Sequence, residues 1–162
     1  MFVVNGGGSA RAGLEADVAG LPNVRFAPYQ PKDRLAEVLA TGDIHLVPLR
    51  KGLARASVPS KTFSILAAGR PVLASVDEGT EVARVVERAD CGLAVPPDDP
   101  DAFLTGLRRL LADSAAATEM GERGRRFVER WASPAAVAVA YEALFAELAN
   151  AAGRPVGHAT AG

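Results

Sequence analysis

The stretch Ala67-Ala68-Gly69-Arg70-Pro71-Val72-Leu73-Ala74 decides how this 162-residue chain folds. Small residues end a helix, Gly69 can take the left-handed conformation that closes a helix, and the apolar run from Pro71 reads as a buried strand. The same transition recurs along the chain. Short runs rich in Val, Ile, Leu and Phe at residues 2–5, 24–27, 44–49, 71–75 and 93–95 predict strands. Segments of helical period at 10–19, 32–40, 60–68 and 80–88 lie between them. Strands separated by helices predict an α/β fold, a Rossmann-like parallel sheet of about five strands with flanking helices.

Beyond the fifth strand the pattern is helical at 100–112, 115–131 and 134–148, adding two or three carboxyl-terminal helices. Asp99-Pro100 and Ser133-Pro134 each place a capping side chain before a proline at the first helical position. One domain is predicted over 1–149, and the Ala-, Gly- and Pro-rich residues 150–162 read as a disordered tail.

Composition narrows the function. Hydrophobic residues at 49% and charged residues at 23% fit a globular chain with a core rather than a disordered one. The net charge of −1 gives no electrostatic reason to expect nucleic acid or an anionic membrane as partner. One cysteine, Cys91, and two histidines, His45 and His158, form neither a disulfide framework nor a zinc module. With no basic leader and no run of about 18 apolar residues, a cytoplasmic location is expected. The 15 arginines against 3 lysines are dispersed among carboxylates and read mostly as solvated faces.

In an open parallel sheet, ligands bind where strands end and helices begin. Gly6-Gly7-Gly8-Ser9 follows the first strand and can present free N–H groups to a phosphate. A plain strand-to-helix turn capped by Ser9 explains it as well. Ser57-Val58-Pro59-Ser60-Lys61 opens the third helix. A lysine in a first turn opposes the helix dipole, so a bound anion would explain Lys61, although a solvent-facing lysine costs only tenths of a kcal/mol. Glu78-Gly79-Thr80-Glu81 is a second such junction, with Thr80 a candidate cap and Glu81 serving the dipole or a ligand. His45 reads as a packed strand residue. There is no nucleophile elbow, no Walker loop and no acidic cluster of a receiver domain.

Taken in order, Val3-Val4-Asn5-Gly6-Gly7-Gly8, Pro22-Asn23-Val24-Arg25-Phe26, Gly42-Asp43-Ile44-His45-Leu46-Val47-Pro48-Leu49, Pro59-Ser60-Lys61, Ala67 to Val72, Gly79-Thr80-Glu81 and Cys91-Gly92-Leu93-Ala94-Val95-Pro96-Pro97 resemble the carboxyl-terminal half of a GT-B glycosyltransferase. The resemblance is to family 4 of the retaining enzymes, in its exopolysaccharide, colanic-acid branch, over residues 2–148. It implies a domain that binds a nucleoside diphosphate sugar as donor substrate, with no cofactor and no metal. The acceptor-binding amino-terminal domain and the first strand-helix unit of the donor domain are not represented. A truncated frame, a fragment or a subunit awaiting a partner is therefore expected, with membrane association only through the acceptor side.

Carried over by position, Gly6, Gly7 and Gly8 would face the interdomain cleft. Phe26 and Ala27 with Pro48 and Leu49 would flank the base, and Lys61 with Ser60 would meet the diphosphate. Gly79, Thr80 and Glu81 would complete the phosphate and sugar side. Many members carry two glutamates eight positions apart, the second on ribose. Ala56 and Ser64 stand there in this chain, and Ser64 offers ribose a weaker hydrogen bond. The implied reaction is retaining transfer of a glycosyl group to an acceptor hydroxyl, with Lys61 stabilising charge on the departing diphosphate. Two other readings remain: a noncatalytic nucleotide-binding or interaction module, and an epimerase, which the lack of an acid/base constellation disfavours.

Overall fold

A computed structural model describes residues 1–53 and 60–151. The chain divides into two compact units, Met1–Asp43 and Ile44–Gly162. All strand pairs are parallel. The five strands form a two-stranded and a three-stranded sheet, so the α/β class and strand number are as expected while the single sheet is replaced by two. The reason lies in the ladders: β1 bonds only to β2, and β3 only to β4, so neither ladder runs on into the other.

The first unit contains β1 (Phe2–Asn5), α1 (Arg11–Asp17), β2 (Val24–Ala27), a 3-10 turn (Lys32–Arg34) and α2 (Leu35–Ala40). Val3 stands opposite Arg25 and Val4 opposite Phe26. Helix α1 is shorter than its sequence pattern, because Gly20 at φ 87° turns the chain back after Val18. Its N-cap is Ala10 with no side-chain cap, so the expected capping by Ser9 is not made.

The second unit contains β3 (His45–Pro48), α3 (Lys61–Ala67), β4 (Val72–Ser75), α4 (Glu81–Ala89), β5 (Gly92–Val95), α5 (Pro100–Ala112), α6 (Ser114–Trp131) and α7 (Pro134–Ala151). Strand β4 lies between β3 and β5, and all four of its residues are buried. The stretch from Ala67 to Ala74 folds as its sequence predicts. Gly69 at φ 69° donates to the Leu66 carbonyl at 2.9 Å, and the Arg70 N–H reaches the Ile65 carbonyl at 3.3 Å. This is a Schellman closure, which satisfies carbonyls that the end of α3 leaves open. The two proline-marked starts also hold. Asp99 accepts from the Ala102 N–H at 2.9 Å, and Ser133 Oγ from the Ala136 N–H at 3.2 Å.

Leu73, Leu107, Leu110 and Ala117 form the core on one face of β4, with Leu46, Leu93 and Phe103 packed against it. Helix α6 packs against α3 through glycine. A Cβ at Gly121 would lie 2.2 Å from the Gly69 carbonyl oxygen, and one at Gly124 would lie 2.8 Å from Leu66 Cδ2. In the same way a Cβ at Gly92 would lie 1.9 Å from the Val72 carbonyl oxygen. Asn150 and Ala151, which the sequence reads as part of a disordered tail, are helical and extend α7. Residues 54–59, among them Ala56, Ser57 and Pro59, and residues 152–162 lie outside the described residues.

Cys91 is fully buried, and burial, more than the nearby Asp90 charge, pushes its thiol pKa up to about 11. The folded state therefore binds this proton more tightly than the unfolded chain, so the stability it contributes is complete below about pH 9 and is lost as pH rises toward 11. Denaturant titrations from pH 8 to 11 should show stability falling by up to about 1.4 kcal/mol per pH unit. The same titration on Cys91→Ala should lack that slope. Gly121→Ala forces a methyl against backbone and should cost about 1–3 kcal/mol in urea melts.

Candidate functional site

The carboxyl ends of the strands are shaped by loops that bond to one another rather than by helices alone. After β3 the chain runs Leu49-Arg50-Lys51-Gly52, and two carboxylates from later loops hold it. Asp77, after β4, accepts from the Gly52 N–H at 2.7 Å, and Asp98, after β5, accepts from the Lys51 N–H at 3.1 Å. Asp98 takes a left-handed conformation at φ 57°. The Ser75 hydroxyl donates to the Pro96 carbonyl at 3.3 Å, tying the ends of β4 and β5.

These contacts frame a cleft of about 760 Å³ lined by Pro48, Leu49, Arg50, Ser75, Asp98, Asp99, Pro100, Phe103 and Leu104. Its walls are apolar on the Pro48, Leu49, Phe103 and Leu104 side. Its polar side chains are one guanidinium, two carboxylates and the Ser75 hydroxyl. Pro48 and Leu49 are thus placed on a cleft as the sequence suggests. Arg50 is one of the residues that directly follow a strand, where ligands are expected; Asp98 and Phe103 were missed, since no local pattern marks residues that meet across about 50 positions.

A second cleft, of about 560 Å³, lies among α3, α4, α6 and α7 and is lined by Ser60, Phe63, Glu81, Val85, Arg88, Phe127, Trp131, Ala132 and Val137. It brings together Ser60 and Glu81, two residues that the sequence assigned to one site. Ser60 is the N-cap of α3 but makes no side-chain cap bond. Lys61 is the first helical residue and is exposed, with no ion pair among the described residues. One position on, Thr62 is buried with no partner for its Oγ1 among the described residues. Ser64 is half-buried in the same helix.

At the other junction Gly79 is left-handed at φ 71°, and Thr80 occupies the N-cap of α4 without capping it. The Thr80 hydroxyl instead donates to the Asp77 carbonyl at 2.7 Å, and its N–H points at the same oxygen at 3.4 Å. The expected capping by Thr80 is therefore corrected: a tight turn uses both groups internally, and Asp77 is free to hold Gly52 with its carboxylate. Glu81 stays exposed at the start of α4.

In the first unit the glycine turn follows β1, with Gly6 at φ 135° and Gly8 at φ 134°. Arg11, which no sequence motif marks, closes it. Its Nη1 donates to the Gly6 carbonyl and, at 3.2 Å, to the Ala27 carbonyl. Its guanidinium lies 5.5 Å from the centre of the Phe26 ring and pairs with Glu15 at 2.7 Å. Phe26 and Ala27 are thus partly covered by a side chain of their own unit. Gly7 makes no contact that a Cβ would disturb.

The sequence matches the family of glycosyl transferases, group 1, over residues 1–113, from β1 through α5. The chain belongs to that family. Its relatives include a putative colanic acid biosynthesis glycosyl transferase of Escherichia coli, 35% identical over 75% of this chain and 31% of that protein. A probable glycosyltransferase of Pseudomonas aeruginosa is 39% identical over 40% of this chain and 16% of its own length. An exopolysaccharide phosphotransferase of Streptomyces coelicolor is 30% identical over 74% of this chain and 12% of its length. Among solved structures, sucrose-phosphate synthase from Thermosynechococcus elongatus superposes with a TM-score of 0.69 at 26% identity, over 88% of this chain and 34% of that one. The resemblance to a GT-B glycosyltransferase is borne out in family and fold. This group 1 glycosyl transferase chain spans about a third of the length of the E. coli relative and of the synthase. No single described helix is long and apolar enough to cross a membrane.

The loop anchor can be tested directly. Asp77→Ala should release the Gly52 N–H and speed its exchange roughly fivefold, as loss of a hydrogen bond worth about 1 kcal/mol implies. Asp77→Asn keeps an accepting oxygen and should exchange more nearly like the parent when followed by NMR.

Proposed function

We propose that this chain supplies the donor-binding part of an enzyme that moves a glycosyl group from a nucleoside diphosphate sugar to an acceptor hydroxyl, with retention, in exopolysaccharide or glycoconjugate synthesis in the cytoplasm. The acceptor is held by a separate amino-terminal region or an adjacent subunit, and any membrane contact runs through that side. The observation that carries this reading is the family match from β1 through α5, joined to a lysine that opens α3 with no protein counter-charge among the described residues.

In this reading the Lys61 ammonium and the uncommitted Ser60 hydroxyl meet the diphosphate. The bond from the anomeric carbon to the diphosphate oxygen breaks, and negative charge grows on that oxygen. A cation fixed beforehand lowers the energy of this state more than that of the bound donor, which is what raises the rate. Ser64 offers a hydroxyl to ribose, and Gly79 an N–H to phosphate or sugar. Thr80 contributes by holding that turn, since its own polar groups are used. No protein nucleophile takes part and no cofactor is needed.

The alternative, a nucleotide-binding or interaction module without catalysis, is favoured by one observation. The Streptomyces coelicolor exopolysaccharide phosphotransferase carries the matched region as only 12% of its length, so this kind of domain also occurs within a protein named for a different activity. Binding and turnover separate the two. Under the enzymatic reading, the chain joined to its acceptor-binding partner transfers sugar; under the modular one it binds nucleotide and transfers none.

Calorimetric titration with uridine and guanosine diphosphates should show binding of at least one. Lys61→Ala should weaken it by about 1–3 kcal/mol, roughly 5- to 150-fold in Kd. Lys61→Arg should retain part of the affinity. Unchanged affinity in Lys61→Ala would remove that lysine from the site.

A further inference from the structure

No residue of Met1–Asp43 is buried, so no packed core fixes where β1 and β2 end. The carboxyl end is the side on which parallel sheets bind ligands, and there one side chain supplies the order. Arg11 Nη1 donates to the Gly6 carbonyl after β1 and, at 3.2 Å, to the Ala27 carbonyl that ends β2. The Ala27 oxygen also accepts the Gly6 N–H at 3.2 Å. A single guanidinium thus spans the point where the two strands leave their ladder.

The guanidinium is itself held from two further directions. Its Nε donates to Glu15 Oε1 at 2.7 Å, and its carbon lies 5.5 Å from the centre of the Phe26 ring. A planar fork fixed on carbonyls, carboxylate and ring has little rotation left. The glycine turn inherits that fixity. Gly6 sits at φ 135°, and a Cβ there would lie 3.7 Å from Tyr29 Cε2, so the Tyr29 ring lies beside the turn. Any shift of Gly6 against Ala27 therefore moves the backbone from Phe26 to Tyr29.

We propose that Arg11 is the positioning residue of the nucleobase contact: by tying the Gly6 and Ala27 carbonyls together it sets the end of β2 against which the base of a nucleoside diphosphate rests. This role rests on the donor-binding function proposed above and on the expectation that Phe26 and Ala27 flank the base. Arg11 acts through the two carbonyls, while Lys61 meets the diphosphate. A surface fixed in advance gives up little freedom when the base arrives. Without Arg11 the diphosphate still binds, and the base adds little to it.

The base contribution is measured by calorimetric titration of the full chain, as the ratio of uridine or guanosine diphosphate affinity to inorganic pyrophosphate affinity. The parent chain should favour one of the nucleotides over pyrophosphate. Arg11→Met keeps an apolar stem over Phe26 and removes both carbonyl bonds, so nucleotide affinity should fall roughly tenfold, as loss of bonds from a charged donor implies. Pyrophosphate affinity should stay as in the parent. Nuclear Overhauser contacts between β1 and β2 report that the ladder persists, which separates positioning from loss of fold. Arg11→Lys restores a cationic donor and should recover part of the ratio; if Arg11→Met loses the ladder, a parental ratio in Arg11→Lys overturns the role and a reduced one supports it. Parental nucleotide affinity in a folded Arg11→Met overturns it, as does an equal fall in pyrophosphate affinity, because Arg11 would then touch the diphosphate. A parent chain that binds nucleotide no more tightly than pyrophosphate overturns the role of Arg11 alone, and one that binds neither overturns the donor-binding function with it.

Discussion

Strand β4 is enclosed on every side only because glycine stands where a side chain would collide with backbone. Gly92 brings β5 against Val72, and Gly121 brings α6 against the turn at Gly69; at either position a Cβ would lie about 2 Å from a carbonyl oxygen. Gly106 lets α5 approach the Leu73 side chain, whose Cδ1 a Cβ would meet at 2.9 Å. These approaches let Leu66, Val72 and Leu73 lose all solvent contact. Full burial of such side chains contributes about 1.5–3 kcal/mol each, so the stability of the second unit depends on small residues whose only function is to be absent.

That enclosure has a consequence at the carboxyl edge. With β4 held rigidly between its neighbours, the loops after β3, β4 and β5 start from fixed points, and Asp77 and Asp98 can clasp the Lys51-Gly52 backbone across the sheet end. Thr80 assists by folding its turn back on Asp77. Binding groups placed on such a frame lose little freedom when they meet a ligand, which is the physical advantage of building a site on strand ends. The first unit contrasts with this. It is held by one two-stranded ladder and by Arg11, whose guanidinium bonds two carbonyls and lies over Phe26, with nothing buried. Two paired strands without a buried face are marginal in water.

Much of the local structure could be read from the chain itself. All five strands, the Gly69 closure and the helix starts at Asp99 and Ser133 depend on residues within a few positions of each other, so periodicity, proline and capping residues reveal them. The family also was legible in the order of its motifs. What sequence alone misjudged was the use of polar groups. Ser9 and Thr80 have the chemistry of caps, but Thr80 donates to Asp77 and α1 begins after an uncapped Ala10. A hydroxyl's partner is chosen by the geometry of its turn, which composition does not specify.

The sequence by itself determined the α/β class, the succession of elements and the kinship with group 1 glycosyl transferases, because each is written in short-range patterns and their order. Only the tertiary structure decided that the strands form two sheets, that Pro48 and Leu49 line one cleft while Ser60 and Glu81 line another, and that Arg11, Asp77 and Asp98 hold the loops. Such contacts join residues 16 to 47 positions apart. They exist only after packing has brought distant backbone within the 3 Å or so that a hydrogen bond requires.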